Sequence, residues 1–304
     1  MDLVKSNKKK KKTPEEILQD LEENGLELTP EGLGPWSHSK LKMLKNCPLQ
    51  FYLQYILKRP PESEREISLI TEVGKAAHRI LEFSLGGKSI ADSYKLTRKE
   101  FQDTISDQDW EENIVAVEFN IIKFNQKIAE FEKQYGVKRI LQELRIGCNK
   151  DWEASGFFAD DVYFRGVIDL VIQLENNDII IVDHKYGTTA AAGLRNFQDQ
   201  LNTYKVLFHH GINPVEGAQS GIHHIREGEV VLDNYSEKAD IEGNLVNLIE
   251  LSIDGAIEGV KDLGKFKHKA GNSCKYCDYR VECKAGRLKD VEESSKKWFE
   301  IKKE

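Results

Sequence analysis

The chain has 304 residues, of which 39% are hydrophobic and 31% charged, and a formal net charge of -7. That is enough apolar material for a buried core in one large domain or two small ones, while no run of about eighteen apolar residues offers a membrane span. The acidic balance argues against indiscriminate nucleic-acid binding, and the basic N-terminus has no apolar run behind it to form a secretory leader. The cysteines are Cys47, Cys148, Cys274, Cys277 and Cys283. Their odd number points to reduced thiols or a metal site rather than disulfides, and a cytoplasmic setting is expected, with a nuclear one as the alternative.

Residues 1–12, with Lys5 and the run Lys8 to Lys12, read as a solvated basic tail, or else as a nucleic-acid-binding arm or nuclear address. Thr13-Pro14-Glu15-Glu16 opens a helix, with Thr13 as cap, Pro14 in the first turn and Glu16 placed for a capping box; Gly25 stops it. Leu28 to Gly34 is a turn-rich linker. A short helix with serine caps starts at Trp36-Ser37-His38-Ser39 and ends near Cys47-Pro48, and a second runs through Phe51, Tyr52, Tyr55 and Ile56. Ile67 to Leu85 forms a further helix, with Ile70, Val73, Ala77 and Ile80 on one stripe, and 111–134 is helical too.

The pattern then changes. Val137 to Gly147, Val162 to Leu174 and Ile179 to Tyr186 read as strands. Gly193 to His209 reads as a helix, a hairpin around 218–232 turns at Gly228, and Glu237 to Val260 is helical. A cysteine cluster and a charged helix follow. The expected organisation is a tail (1–12), a helix and linker (13–35), a helical region (36–135), an α/β core (136–235), and C-terminal helices with the cysteines (236–304). Helices, then strands with one interposed helix, then helices, predict an α/β core with a helical cap.

The segments Phe164 to Ile172 and Ile179 to Lys185 are two strands rich in β-branched residues around a turn, and each carries one acid in an apolar run, Asp169 and Asp183. Buried carboxylates are costly unless paired or metal-bound. An odd loop, or a bulge, puts the two acids opposite each other, about 5 Å apart at Cβ. There they repel by roughly 3 kcal/mol at an effective dielectric of 20, and a divalent cation between them reverses the sign. Lys185 then points to the same face. An even loop separates the acids, and sequence alone leaves this parity open.

Asp169 followed by Asp183-His184-Lys185 resembles the motif of the PD-(D/E)XK nuclease superfamily, and Gly166-Val167-Ile168-Asp169 resembles its RecB-like branch. The resemblance covers Trp36 to Arg287 and implies a restriction-endonuclease-like core with a central mixed sheet flanked by helices. It implies that Asp169, Asp183 and the main-chain carbonyl of His184 bind Mg²⁺ or Mn²⁺, whose preference is for oxygen ligands, and that Lys185 orients water and offsets phosphate charge. His78 is implied as a further metal ligand, and Glu143 as a candidate one. Gln200 and Tyr204, spaced i, i+4 on one helix face, resemble the Q-x3-Y motif that orders the site or contacts the DNA backbone. Arg165, Arg195 and Tyr204 are the candidate substrate contacts.

Cys274-x2-Cys277-x5-Cys283 with Cys47 far upstream lacks the second close pair of a zinc site. It resembles the four-cysteine staple of AddB-type and CRISPR-associated nucleases, which implies a [4Fe–4S] cluster closing the helical cap onto the C-terminus, with zinc as the alternative. No phosphate-loop motif is present, so a helicase, recombination or replication protein would have to be a separate partner. The implied activity is metal-dependent hydrolysis of DNA, exonucleolytic on single strands or ends, in recombination, repair or viral DNA processing. The alternatives are an inactive nuclease fold that binds DNA or protein, and an RNA-directed nuclease.

Overall fold

A computed structural model of the chain describes residues 29–60, 69–262, 266–271, 274, 277–280 and 283. The expected basic tail, the helix from Thr13 and the charged C-terminal helix lie outside the described residues.

Ser37 caps α1 (His38–Asn46), its hydroxyl accepting from the Lys40 N–H at 3.2 Å. Pro48 opens α2 (Pro48–Phe51), which runs into a π turn at Tyr52–Ile56. In α3 (Leu69–Leu85) the buried stripe begins at Val73, because Ile70 in the first turn is 62% exposed. α4 (Ile90–Phe101) was not anticipated, since its buried positions are Ser93 and Thr97 rather than apolar residues. The helix expected over 111–134 is broken into α5 (Asp107–Asn113), a 3₁₀ turn at Val115–Val117 and α6 (Glu118–Gln134). The break falls in Ile114-Val115-Ala116-Val117, whose β-branched side chains suit a helix poorly.

The strands are β1 (Val137–Cys148), β2 (Ala154–Ser155), β3 (Phe164–Leu174), β4 (Ile179–Lys185), β5 (Gly217–His224), β6 (Glu229–Leu232) and β7 (Ser236–Glu237). They form one sheet in the order β2-β1-β3-β4-β5-β6, with β7 also on β5. Only β4 and β5 run parallel among these pairs. Parallel neighbours need a crossover, supplied here by α7 (Gln198–Gly211). That helix starts later than Gly193, which takes φ 61 in the preceding loop. A π turn (Asp240–Leu245) leads into α8 (Val246–Asp262).

Each sheet face has its own core. Val73, Ile80, Trp110 and Phe124 of α3, α5 and α6 pack with Leu170 and Val182 on one side. Phe51, Leu207, Phe208 and Ile253 of α2, α7 and α8 pack with Val171 and Ile181 on the other. The N-terminal helices meet the C-terminal segment directly: Phe266 stacks on Phe51 at 6.2 Å, and the Tyr279 hydroxyl donates to the Arg59 carbonyl at 3.0 Å. No helix among the described residues is long and apolar enough to cross a membrane.

The β3–β4 turn sets the register. The ladder runs from Leu170↔Val182 to Gln173↔Ile179. Leu174 N–H then donates to the Asp178 carbonyl and Asn177 N–H to the Leu174 carbonyl, leaving an odd loop, 175–177, with Asn177 at φ 65. Asn177→Val is therefore expected to cost about 1–2 kcal/mol in urea unfolding, and Asn177→Gly close to nothing, because only the β-branched side chain resists the left-handed conformation.

Candidate functional site

Continuing the β3–β4 register one position beyond Leu170↔Val182 sets Asp169 opposite Asp183. The β1–β3 ladder has Gln142↔Leu170 and Leu144↔Ile168 on either side of Glu143, which sets Glu143 opposite Asp169. Three acids therefore lie in one row across β1, β3 and β4. The row is irregular where it crosses β1, since Glu143 has φ 47.

Each acid is held differently. The main-chain N–H of His184 donates to Asp169 Oδ2 at 2.7 Å, so that carboxylate bridges from β3 to β4. Asp183 is buried, with Gln200 Nε2 donating to its Oδ1 at 3.0 Å. Its Oδ2 lies 2.7 Å from Lys185 Nζ as an ion pair. Gln200 also donates to the Tyr204 hydroxyl at 2.7 Å. Gly166 lets α7 approach β3 this closely, because a Cβ there would meet Leu207 Cδ1 at 2.8 Å.

From the other face, α3 brings His78 Nδ1 to 3.6 Å from Asp169 Oδ2. One ligand atom each of His78, Glu143 and Asp169 lies within 4.8 Å of the others. Burial lifts the Asp169 and Asp183 carboxyls to about 6, with Asp169 adding to the rise at Asp183. Burial likewise raises Glu143 and lowers His78. Buried Asp183 and partly buried Asp169, with exposed Glu143 at the end of the row and one adjacent lysine, are short of positive charge. The carboxylate oxygens of the row and the imidazole nitrogen are the donor set that a hard divalent cation takes.

A family model for the PD-(D/E)XK nuclease superfamily matches residues 35–284. The chain belongs to this superfamily. Its members are nucleases that use divalent metal ions, and its mixed sheet flanked by helices fits this chain's architecture. Among curated proteins none matches. A candidate exonuclease of known structure from Eubacterium rectale is similar at a TM-score of 0.46 and 10% identity, covering 82% of this chain and 88% of that one. The structure of SSO0001 is similar at a TM-score of 0.35 and 16% identity, covering 89% and 97%.

Within this nuclease fold, Asp169, Asp183, Lys185, His78, Glu143, Gln200 and Tyr204 come together. The His184 imidazole is buried, with Nδ1 3.0 Å from His223 Nδ1, leaving the residue's main chain at the acid row. Arg165 is not brought to the acids: its Nη1 donates to the Phe157 carbonyl at 3.0 Å and its guanidinium lies over Phe157 and Phe158. Arg195 lines a separate groove beside α7. The Cys277 thiol is pushed up by burial and, to a smaller degree, by Cys47, Cys283 and Cys274, which lie within electrostatic reach.

Sequence reading missed the cleft of about 350 Å³ in front of His78 and Glu143, lined also by Arg79, Glu82 and Glu100. Those three residues belong to α3 and α4 and read as ordinary surface charges, so only the helix packing could find it. With divalent ions chelated, Asp169→Asn is expected to raise stability by on the order of 1 kcal/mol in urea unfolding, since the amide removes an undercompensated buried charge. Equal or lower stability of the variant would show that the carboxylate is already well compensated.

Proposed function

We propose that this protein is a Mg²⁺- or Mn²⁺-dependent DNA nuclease acting on single strands or DNA ends. The observation that supports it most is the row Glu143–Asp169–Asp183 with Lys185 paired to Asp183. Asp169 and Asp183 would hold the ion, with His78, Glu143 and the His184 carbonyl as further donors. An ion bound there supplies Lewis-acid polarisation of a phosphate and a more acidic water.

The chain's own groups do the positioning. Gln200 fixes Asp183 and is tied to Tyr204, so two residues of α7 hold one carboxylate in place. Lys185 presents an ammonium beside that carboxylate, where it offsets negative charge growing on a phosphoryl oxygen. The His184 N–H locks Asp169 against rotation. Hydrolysis joins a water oxygen to phosphorus and releases one ester oxygen.

Labelled DNA is expected to be degraded with Mg²⁺ or Mn²⁺ and spared in chelator. Asp183→Ala and Lys185→Ala should each lose roughly 10²–10³-fold in rate, the scale of removing one charge-stabilising group. Equal rates in wild type and both variants would remove this mechanism, and RNA in the same assay separates the RNA-directed reading.

We also assign Cys47, Cys274, Cys277 and Cys283 to a structural [4Fe–4S] cluster, a reading that rests on their spacing in the sequence, with Cys47, Cys283 and Cys274 within electrostatic reach of Cys277. Anaerobically purified protein should contain iron and acid-labile sulfide, and Cys274→Ala should lose both. Zinc in their place would overturn the assignment.

A further inference from the structure

A groove of about 460 Å³ lies between α1, the start of α7 and α8. Three permanent cations line it, Lys42, Lys45 and Arg195, against one carboxylate, Asp199, in a chain whose net charge is -7. Asn46, Asn196 and Asn202 add amide donors. Lys42 and Lys45, three residues apart on α1, share a helix face and are both exposed. Neither lysine forms an ion pair among the described residues, so their charge is available to a ligand.

The groove adjoins the acid row through the start of α7. Asp199 and Thr203 line the groove while the adjacent Gln200 and Tyr204 hold Asp183, so the first turns of α7 serve both. Arg195 and Asn196 directly precede Phe197, whose ring centre is 6.0 Å from Lys185 Nζ. His38, also in the lining, is within electrostatic reach of Lys42, Lys45 and Lys185. The N-terminal end of α7 adds a partial positive charge at the same place.

We propose that this groove is the track for the phosphodiester backbone of a nucleic-acid strand running away from the acid row, with Lys42, Lys45 and Arg195 as its phosphate contacts. This rests on the nuclease reading above and deepens it by naming where the strand beyond the scissile linkage lies. Asn46 and Asn202 suit backbone oxygens, while the apolar floor of Leu245 and Ile249 gives no base-specific contact.

The test is binding of a fluorescein-labelled single-stranded DNA oligonucleotide to the full chain in an Asp183→Ala background, which reads binding without cleavage. Lys42→Gln/Lys45→Gln should weaken binding about tenfold or more and lower the slope of log K against log salt by about 1.4, and Arg195→Gln should lower it by about 0.7, at roughly 0.7 per phosphate contact. A matched pair on an exposed face of α6, Lys123→Gln/Lys133→Gln, should leave the slope unchanged. If the parent binds and the groove variants bind with the same affinity and slope, the track is overturned while the nuclease reading stands. An equal loss in the α6 pair would overturn it as well, as bulk charge. If the parent itself does not bind, both readings fail.

Discussion

Two largely buried carboxylates facing each other across adjacent strands form the constraint around which this protein is arranged. At about 5 Å their repulsion is on the order of 3 kcal/mol, comparable to a sizeable share of a domain's net stability. The fold tolerates this by surrounding the pair with fixed partners: the His184 N–H donating to Asp169, and the Gln200 amide and the Lys185 ammonium, as hydrogen bond and ion pair, on Asp183. The raised carboxyls of both acids show that this compensation is incomplete. Incomplete compensation is what leaves room for a cation.

The two layers of helices share the work unequally. One layer, through α3, brings His78 to the Asp169 end of the row, while Glu143 comes from the sheet itself. The opposite layer, through α7, brings Gln200 and Tyr204 to the Asp183 end, and the same helix is the crossover that makes β4 and β5 parallel. The geometry of the acid row and the sheet topology therefore depend on one element. Gly166, by admitting α7 onto β3, is where the two requirements meet.

The departures from local pattern have particular causes. α4 escaped detection because Ser93 and Thr97, not apolar side chains, are its buried residues. The long helix expected over 111–134 gave way at a β-branched run. α7 begins at Gln198 rather than Gly193: Gly193 adopts φ 61, and a separate turn closed by the Phe197 N–H on the Leu194 carbonyl follows, which leaves Arg195 and Asn196 outside the helix and lining the groove.

By itself the sequence determined which residues could form the site, since an acid inside each of two β-branched strands, a lysine two positions on, and a Gln–Tyr pair at helical spacing are all short-range patterns. It also determined the α/β character, through the switch from helical to alternating periodicity near Val137. It could not determine the parity of the β3–β4 loop, which follows from Asn177 in the left-handed region and from the ladder on either side. Nor could it show that Glu143 joins the row, that Arg165 is engaged by Phe157 and Phe158 instead, or that α1 and α7 enclose a basic groove. These depend on which distant segments pack together, and that is decided by burying two sheet faces at once rather than by any neighbouring residues in the chain.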